Sequence, residues 1–345
     1  WEIESRLQTS EETVSQYQAI TSELLSAAII ESSQLGGSLL DKFWNNLADC
    51  HPKLKDNGIY YSTIPEVLMQ GLHPAEIDSS PILSLAAEVF THLGVTFLHH
   101  EGLHSKNDTP FSVGELDRME MDALLTVPNA DGKFGHRKEA VLIQLATRHD
   151  GNACMFTKKS FNPAARGFCN ADLNGIDHIL AHIIPHSLHQ KSNTLALIST
   201  FAGEKTAKVV LEHSNSPMNI QSDAHQMYGN LFWGIEAQER DGTVKYVYRR
   251  VSRTVITDPG PGFILLKDGD EMKFGQGPEG ETLGNGPLPL LCNLHLAVAR
   301  VILTSGAASI IAQWIDEADD TDFPHVYVAS DAFFKILTAR LQLVT

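Results

Sequence analysis

Apolar residues recur at helical spacing through the first 130 positions. Val14, Tyr17, Ile20, Leu24 and Ala28 form one stripe, preceded by Thr9 and Glu12 at capping-box spacing and followed by Gly36 and Gly37. Ser38 opens a second pattern through Leu40, Phe43, Trp44 and Leu47. Ser80 followed by Pro81 reads as an N-cap with proline in the first turn, and Leu85, Val89 and Phe90 continue along one face. Ser112 and Glu115 repeat the capping-box spacing, and Pro128 closes that helix.

From Gly135 the texture changes. A helix is predicted over Arg137–His149, then a turn at Asp150-Gly151 and short strands at Cys154–Thr157 and Ile179–Ile184. A short helix follows at Asp223–Tyr228, with strands at Tyr246–Ile256 and Phe263–Lys267. The stretch GQGPEGETLGNGPLP is a Gly/Pro-rich linker into a helix over Leu290–Thr304, with Gly306 as its C-cap. The acidic run DEADDTD reads as a solvated loop, and Ser330 caps a final helix with Phe334, Leu337 and Leu341. No internal repeat is visible. The expected fold class is α+β: an acidic helical region over 1–130, a central unit over 131–258, and a strand and helix extension over 259–345.

Composition narrows the class more than the function. With 345 residues, 43% hydrophobic and 20% charged, the chain has material for a substantial core, which excludes a disordered or fibrous protein. No apolar run reads as a membrane span and no leader is legible, so the expectation is an intracellular protein, cytoplasmic or nuclear, without a membrane partner. The four cysteines, Cys50, Cys154, Cys169 and Cys292, are scattered without a CxxC pair, which fits a reducing compartment and argues against a four-thiolate zinc site.

The formal charge of −16 disfavours a surface that grips nucleic acid everywhere, but its distribution is uneven. Residues 1–130 carry 19 acids against 6 bases, whereas 131–170 carry 3 against 7. Lys133, Arg137, Lys138, Lys158 and Lys159, joined by Arg249 further on, are therefore the candidate phosphate contacts. A solvated basic face within an acidic protein is the plainer reading of the same residues.

Sixteen histidines are the anomaly. HEGLH places His100 and His104 four residues apart with Glu101 between them, the spacing of a zinc peptidase helix. Gly102 weakens that helix and no third histidine follows at the longer spacing, so this is the remotest of the functional readings. A richer cluster runs from RHDGNACMFT through IDHILAHIIPHSLH to NSPMNIQSDAHQMYGNLFWGIEAQ.

These segments resemble the HNH nuclease family, specifically its fungal type, in which a Cys-x-x-Thr piece precedes Ala-His-Ile-Ile-Pro and a later Asn leads to a histidine on a helix. The run PLPLLCNLHLAVARVILTSGAASII looks like the helical tail that accompanies this type, so the resemblance covers roughly residues 137–315. It implies a ββα-metal unit flanked by the helical N-terminal region and the helical extension. The implied activity is metal-dependent hydrolysis of phosphodiesters in nucleic acid, with Mg, Mn or Zn as the divalent cofactor.

On this resemblance His182 is the general base, which a neutral imidazole can perform near pH 7. Asn219 orients that histidine or its loop, and His225 is the metal ligand. Ala181 stands where many members place a ligand, so His186 and Asp177 are further metal candidates, with Pro185 supplying the bend that could bring His186 round. Asp223 is a helix-terminal acid or a partner to these groups. A competing expectation keeps the scaffold and changes the job: a degenerate HNH unit that binds or regulates, or that acts on a small molecule or protein in fungal specialised metabolism.

Overall fold

The computed structural model describes residues 11–56, 72–73, 76–98, 139–161, 178–185, 188, 191–213, 217–251, 260–283 and 286–319. In chain order the helices are α1 (Glu11–Leu35), α2 (Leu39–Asp49), α3 (Pro52–Asp56), α4 (Ser80–Val89) and α5 (Glu139–Asp150). Strand β1 (His178–His182) leads to α6 (Ser192–Ala202), α7 (Glu204–His213), β2 (Pro217–Gln221) and α8 (Ser222–Gly229). Then come β3 (Trp233–Arg240), β4 (Thr243–Arg250), β5 (Glu271–Met272), α9 (Gly280–Leu283), α10 (Pro289–Thr304) and α11 (Ala307–Asp319). The fold is thus a mixture of helix and sheet, as the α+β expectation required. The expected boundaries near 130 and 258 fall outside the described residues.

Packing divides the chain into two compact units, one drawn from Trp1–Leu98, Lys191–Ala207 and Arg300–Thr345, the other from His99–Gln190 and Lys208–Ala299. The first is helical. Leu24 and Ala28 of the predicted stripe are fully buried, with Leu85, Phe90, Phe97, Leu197 and Phe201. Beyond α4 the helix continues through a π-helical turn, Phe90–Val95, into Thr96–Leu98, every residue of that turn buried. His92 lies inside it with Nδ1 3.1 Å from the Thr194 hydroxyl of α6. The continuous stretch Ser80–Leu98 is long and apolar enough to cross a membrane, a length the apolar runs of the sequence did not announce because Glu88, Thr91, His92 and Thr96 interrupt it. Within this protein 67% of its most apolar 18-residue window is buried, as befits a core helix, and Glu88 pairs with Lys42 of α2 at 2.6 Å.

The second unit contains two antiparallel sheets. β1 and β2 form a two-stranded ribbon, and β3, β4 and β5 form a meander in that order. Asp241 and Gly242 join β3 to β4 with φ of +51° and +74°, the double left-handed geometry of a two-residue hairpin turn. Because that turn sets the register, β4 begins at Thr243, three residues before the expected Tyr246, and ends at Arg250, while positions 252–256 of the expected strand lie outside the described residues.

Two other predicted strands are absent. The piece 154–157 is a tight turn closed by Lys158 N–H donating to Cys154 O at 2.8 Å, flanked only by an Ala153–Ser160 bridge. Residues Pro261–Phe263 are a 3-10 turn, and β4 finds its second partner at Glu271–Met272. Pro261 lacks a ladder donor and Gly262 takes a left-handed φ of +70°, so the chain turns where β-propensity alone favoured a strand. Two helix ends also differ from expectation. Helix α4 begins at Ser80, so Ser79 and not Ser80 stands at its N-cap, and Asp78 Oδ1 just before it accepts the Ser80 N–H at 2.9 Å. At the other end of the chain α11 runs on through Asp316 and Glu317 into the acidic run expected to be a loop.

The edge of β3 is closed by a side chain. Asn293 on α10 donates to Ala237 O at 3.0 Å and accepts from Ala237 N–H at 2.8 Å, pairing like another strand. The helix can approach because Gly234 offers no side chain: a Cβ there would stand 3.0 Å from Leu296 Cδ1 and 3.3 Å from its Cα. Asn293→Leu leaves both edge groups of Ala237 unsatisfied, with an expected loss of about 1–3 kcal/mol, readable as a lower urea midpoint at unchanged slope.

Candidate functional site

The histidine-rich segment becomes the ribbon. Its register sets Leu180 opposite Asn219 and His182 opposite Pro217. Residues paired across antiparallel strands share a face, so Asn219 and His182 lie on the same side as diagonal neighbours, roughly 7–8 Å apart by ordinary sheet geometry. The other side carries Ala181, Met218 and Ile220, all at 1% exposure or less, and is core. Asn219 and His182 share the opposite face with Leu180, where Asn219 is buried and His182 at the strand end is half-buried.

Two hydrogen bonds and the packing of one helix hold that side in place. Asn219 is 4% exposed and its Nδ2 donates to the Thr147 hydroxyl at 3.1 Å, tying β2 to the last turn of α5. Gln221 Nε2 donates to Asp223 Oδ2 at 2.8 Å, linking the strand end to the first turn of α8, where a carboxylate also suits the helix dipole. Helix α8 follows β2 without a loop and packs against both strands, bringing His225 to the element beside His182.

The far end of α8 is anchored in the core. Tyr228 Oη donates to Ile183 O at 2.8 Å, just past the end of β1, and its ring stacks on His295 at 3.9 Å with 9° between planes. Burial, with a smaller contribution from the nearby Cys292, pushes the Tyr228 phenol well above its usual range, so it acts here only as a donor. Trp233 Nε1 donates to Ala224 O at 3.1 Å, fixing the first turn of the same helix. Asn219 and His225 therefore sit on elements secured at several points, which is the condition for a preorganised site.

Residues the sequence reading passed over complete the surroundings. Thr147 holds Asn219, as described. Next to it, His149 Nδ1 lies 2.7 Å from Asp150 Oδ1, and that carboxylate accepts Gly275 N–H at 2.9 Å. Gly277 N–H donates to His149 O at 2.7 Å and Glu279 N–H to Arg148 O at 3.0 Å, so the glycine-rich segment read as a linker is bound to the end of α5. The signal was present as Arg-His-Asp-Gly, but it reads equally well as a helix end, and only the fold shows that it backs onto Asn219.

The remaining candidates divide. Asp177, His186, Lys133, Arg137 and Lys138 lie outside the described residues, as do His100, Glu101 and His104 and the thiol of Cys169. Lys158 and Lys159 are exposed on the 154–159 turn. Arg249 lies between carboxylates, bonded to Glu236 and 3.8 Å from Asp268, so its charge is already answered within the meander. Cys50, Cys154 and Cys292 are buried and free. Burial pushes the Cys292 thiol far above its usual range, which suits a small core residue and not a nucleophile. Among the described residues no three His, Cys, Asp or Glu side chains gather into a group that could hold a metal ion, so the described donors alone do not complete a shell.

No family model matches the chain, and neither a curated protein nor a solved structure matches it.

Proposed function

We propose that the chain is a metal-dependent endonuclease of the HNH type, built on a ββα-metal unit made of β1, β2 and α8. The observation that carries this reading is the order and anchoring of three elements. His182 ends the first strand, Asn219 sits on the same face of the second and is held by Thr147, and His225 lies on the helix that follows directly. In this reading His182 takes the proton of a water whose oxygen adds to phosphorus. The bond from phosphorus to the leaving sugar oxygen breaks, and that oxygen is protonated from solvent. Asn219, fixed to α5, keeps the loop and imidazole in register. A divalent ion, Mg, Mn or Zn, supplies charge neutralisation on the phosphate, and His225 with His186 and Asp177 are the ligands proposed for it. Nucleic acid in the cytoplasm or nucleus is then the partner.

A second reading has its own support. The net charge of −16, the engagement of Arg249 by Glu236 and Asp268, and the incomplete donor group among the described residues all favour a scaffold that has kept the geometry and turned to a small molecule or protein.

One pair of measurements separates them. The nuclease reading expects calorimetric binding of Mg, Mn or Zn that His225→Ala weakens, together with cutting of plasmid, single-stranded DNA or RNA in the presence of that ion. Protein that binds none of these ions and leaves all three substrates intact is not a nuclease, and the second reading then stands.

A further inference from the structure

The second unit displays an aromatic ring where folding alone has no use for one. Phe263 is 55% exposed and Leu265, two residues on, is 51% exposed. Phe263 also has a φ of +58°, a conformation that bulky residues rarely adopt. Strain of this kind persists only where the surroundings impose it, and here they do. Gly262, at φ +70°, rests on the start of α8 so closely that a Cβ would stand 2.7 Å from Asp223 O and 2.9 Å from Ala224 Cα. Gly260 N–H donates to Ile264 O at 2.8 Å, and Leu265 N–H to Phe156 O at 2.9 Å. The loop is thereby clamped on one side to the helix that carries His225 and on the other to the 154–159 turn.

That turn supplies the charge. Lys159 Nζ lies 5.2 Å from the centre of the Phe263 ring. Lys158, at φ +59°, is exposed beside it, and neither lysine pairs with a carboxylate among the described residues. A ring on a loop clamped at both sides, with the Lys159 ammonium over one face and the exposed Lys158 next to it in the chain, matches one ligand chemistry well: a base that stacks on the open face while its phosphates meet the lysines. On a chain of net charge −16, two lysines with no carboxylate partner among the described residues, next to an exposed aromatic, favour a polyanion over an apolar protein surface.

We propose that Phe263 is a stacking platform for an unpaired base of a nucleic-acid strand, with Lys158 and Lys159 gripping the adjacent phosphates. The inference rests on the nuclease reading and gives it a substrate class, strands with unpaired bases, held at the first turn of the helix that bears His225.

The test uses the full chain in EDTA, so that binding is read apart from cleavage. Single-stranded DNA and RNA dodecamers containing 2-aminopurine are titrated, with the DNA duplex as control. Wild type is expected to quench the fluorophore on at least one strand type, and the DNA and RNA arms identify the sugar. Phe263→Gly should weaken that binding about tenfold and lose the quenching, whereas Phe263→Trp restores both. Because glycine relaxes φ at this position, Phe263→Gly should melt no lower than wild type, which removes misfolding as an explanation. Unchanged affinity and quenching in Phe263→Gly overturn the proposal, even if the ion-loaded wild type cuts and His182→Ala does not. Strand binding that depends on the ring, in a protein that cuts nothing with any ion, supports the platform and removes the nuclease. A shift in sedimentation of Phe263→Gly without any effect on oligonucleotide binding makes the patch a self-association surface and also overturns it.

Discussion

Cleavage by the His182→Ala variant is expected to fall by about 10²–10⁴-fold, the usual contribution of a positioned general base. The fold should survive, because His182 is half-buried at the end of β1 and the ribbon is held by the apolar face of Ala181, Met218 and Ile220. The informative comparison is with His225→Ala. Loss of His182 should lower kcat while leaving calorimetric ion affinity largely intact, whereas loss of His225 should remove the ion affinity itself. Asn219→Ala tests the positioning role. It takes away the bond to Thr147 as well as the amide, so Thr147→Val, which removes only the hydroxyl partner, serves as its control. If both lower kcat with little change in KM, Asn219 acts by orientation. Equal ion affinity and equal rate in His182→Ala and wild type would remove the proposed base.

Trp233→Ala should cost about 3–5 kcal/mol, enough to unfold many domains of marginal stability. The indole is fully buried and touches three aromatic rings, with centroids at 4.5 Å for Phe156, 4.6 Å for Tyr228 and 5.7 Å for Tyr248. Its N–H bond to Ala224 O disappears too, which leaves a carbonyl in the first turn of α8 without that donor. Trp233→Phe keeps most of the packing and loses only the bond and part of the volume, so its cost should be markedly smaller. Denaturant midpoints at constant slope measure both. A loss under about 1 kcal/mol for Trp233→Ala would mean that the aromatic cluster does not anchor the helix. Because the same cluster fixes α8, a folded Trp233→Ala protein should also bind the ion less well.

The local pattern of the chain was enough to place most helices. Leu24 and Ala28 recur at the helical period and are buried, and Gly306 ends α10 with the left-handed φ its position suggested. The hairpin at Asp241-Gly242 was not read from the sequence, although an Asp-Gly pair tolerates the two positive φ values of one turn geometry. The strand β3 before it was missed as well, since Trp233 reads as core in either a strand or a helix. Phe263–Lys267 shows the opposite failure. Its residues favour a strand, yet a proline without a donor and a left-handed glycine turn the chain, and two residues further along, Glu271–Met272, take the place beside β4.

The candidate site divides along the same line. His182, Asn219 and His225 stand out in sequence because their order resembles a known arrangement, and backbone alternation then assigns faces once the strands exist. What no local pattern contains is the partner across space. The register of His178–His182 against Pro217–Gln221 joins strands separated by two helices. It depends on which face can be buried, not on any neighbour in sequence. The grip of Thr147 on Asn219 spans 72 positions, and that of Asn293 on Ala237 spans 56. Hydrogen bonds of this kind form only after the core has brought their elements together. Local propensity and periodicity depend on residues a few positions apart and survive in the linear text. Packing, edge closure and the orientation of polar side chains depend on contacts between distant segments, so only the tertiary structure decided them.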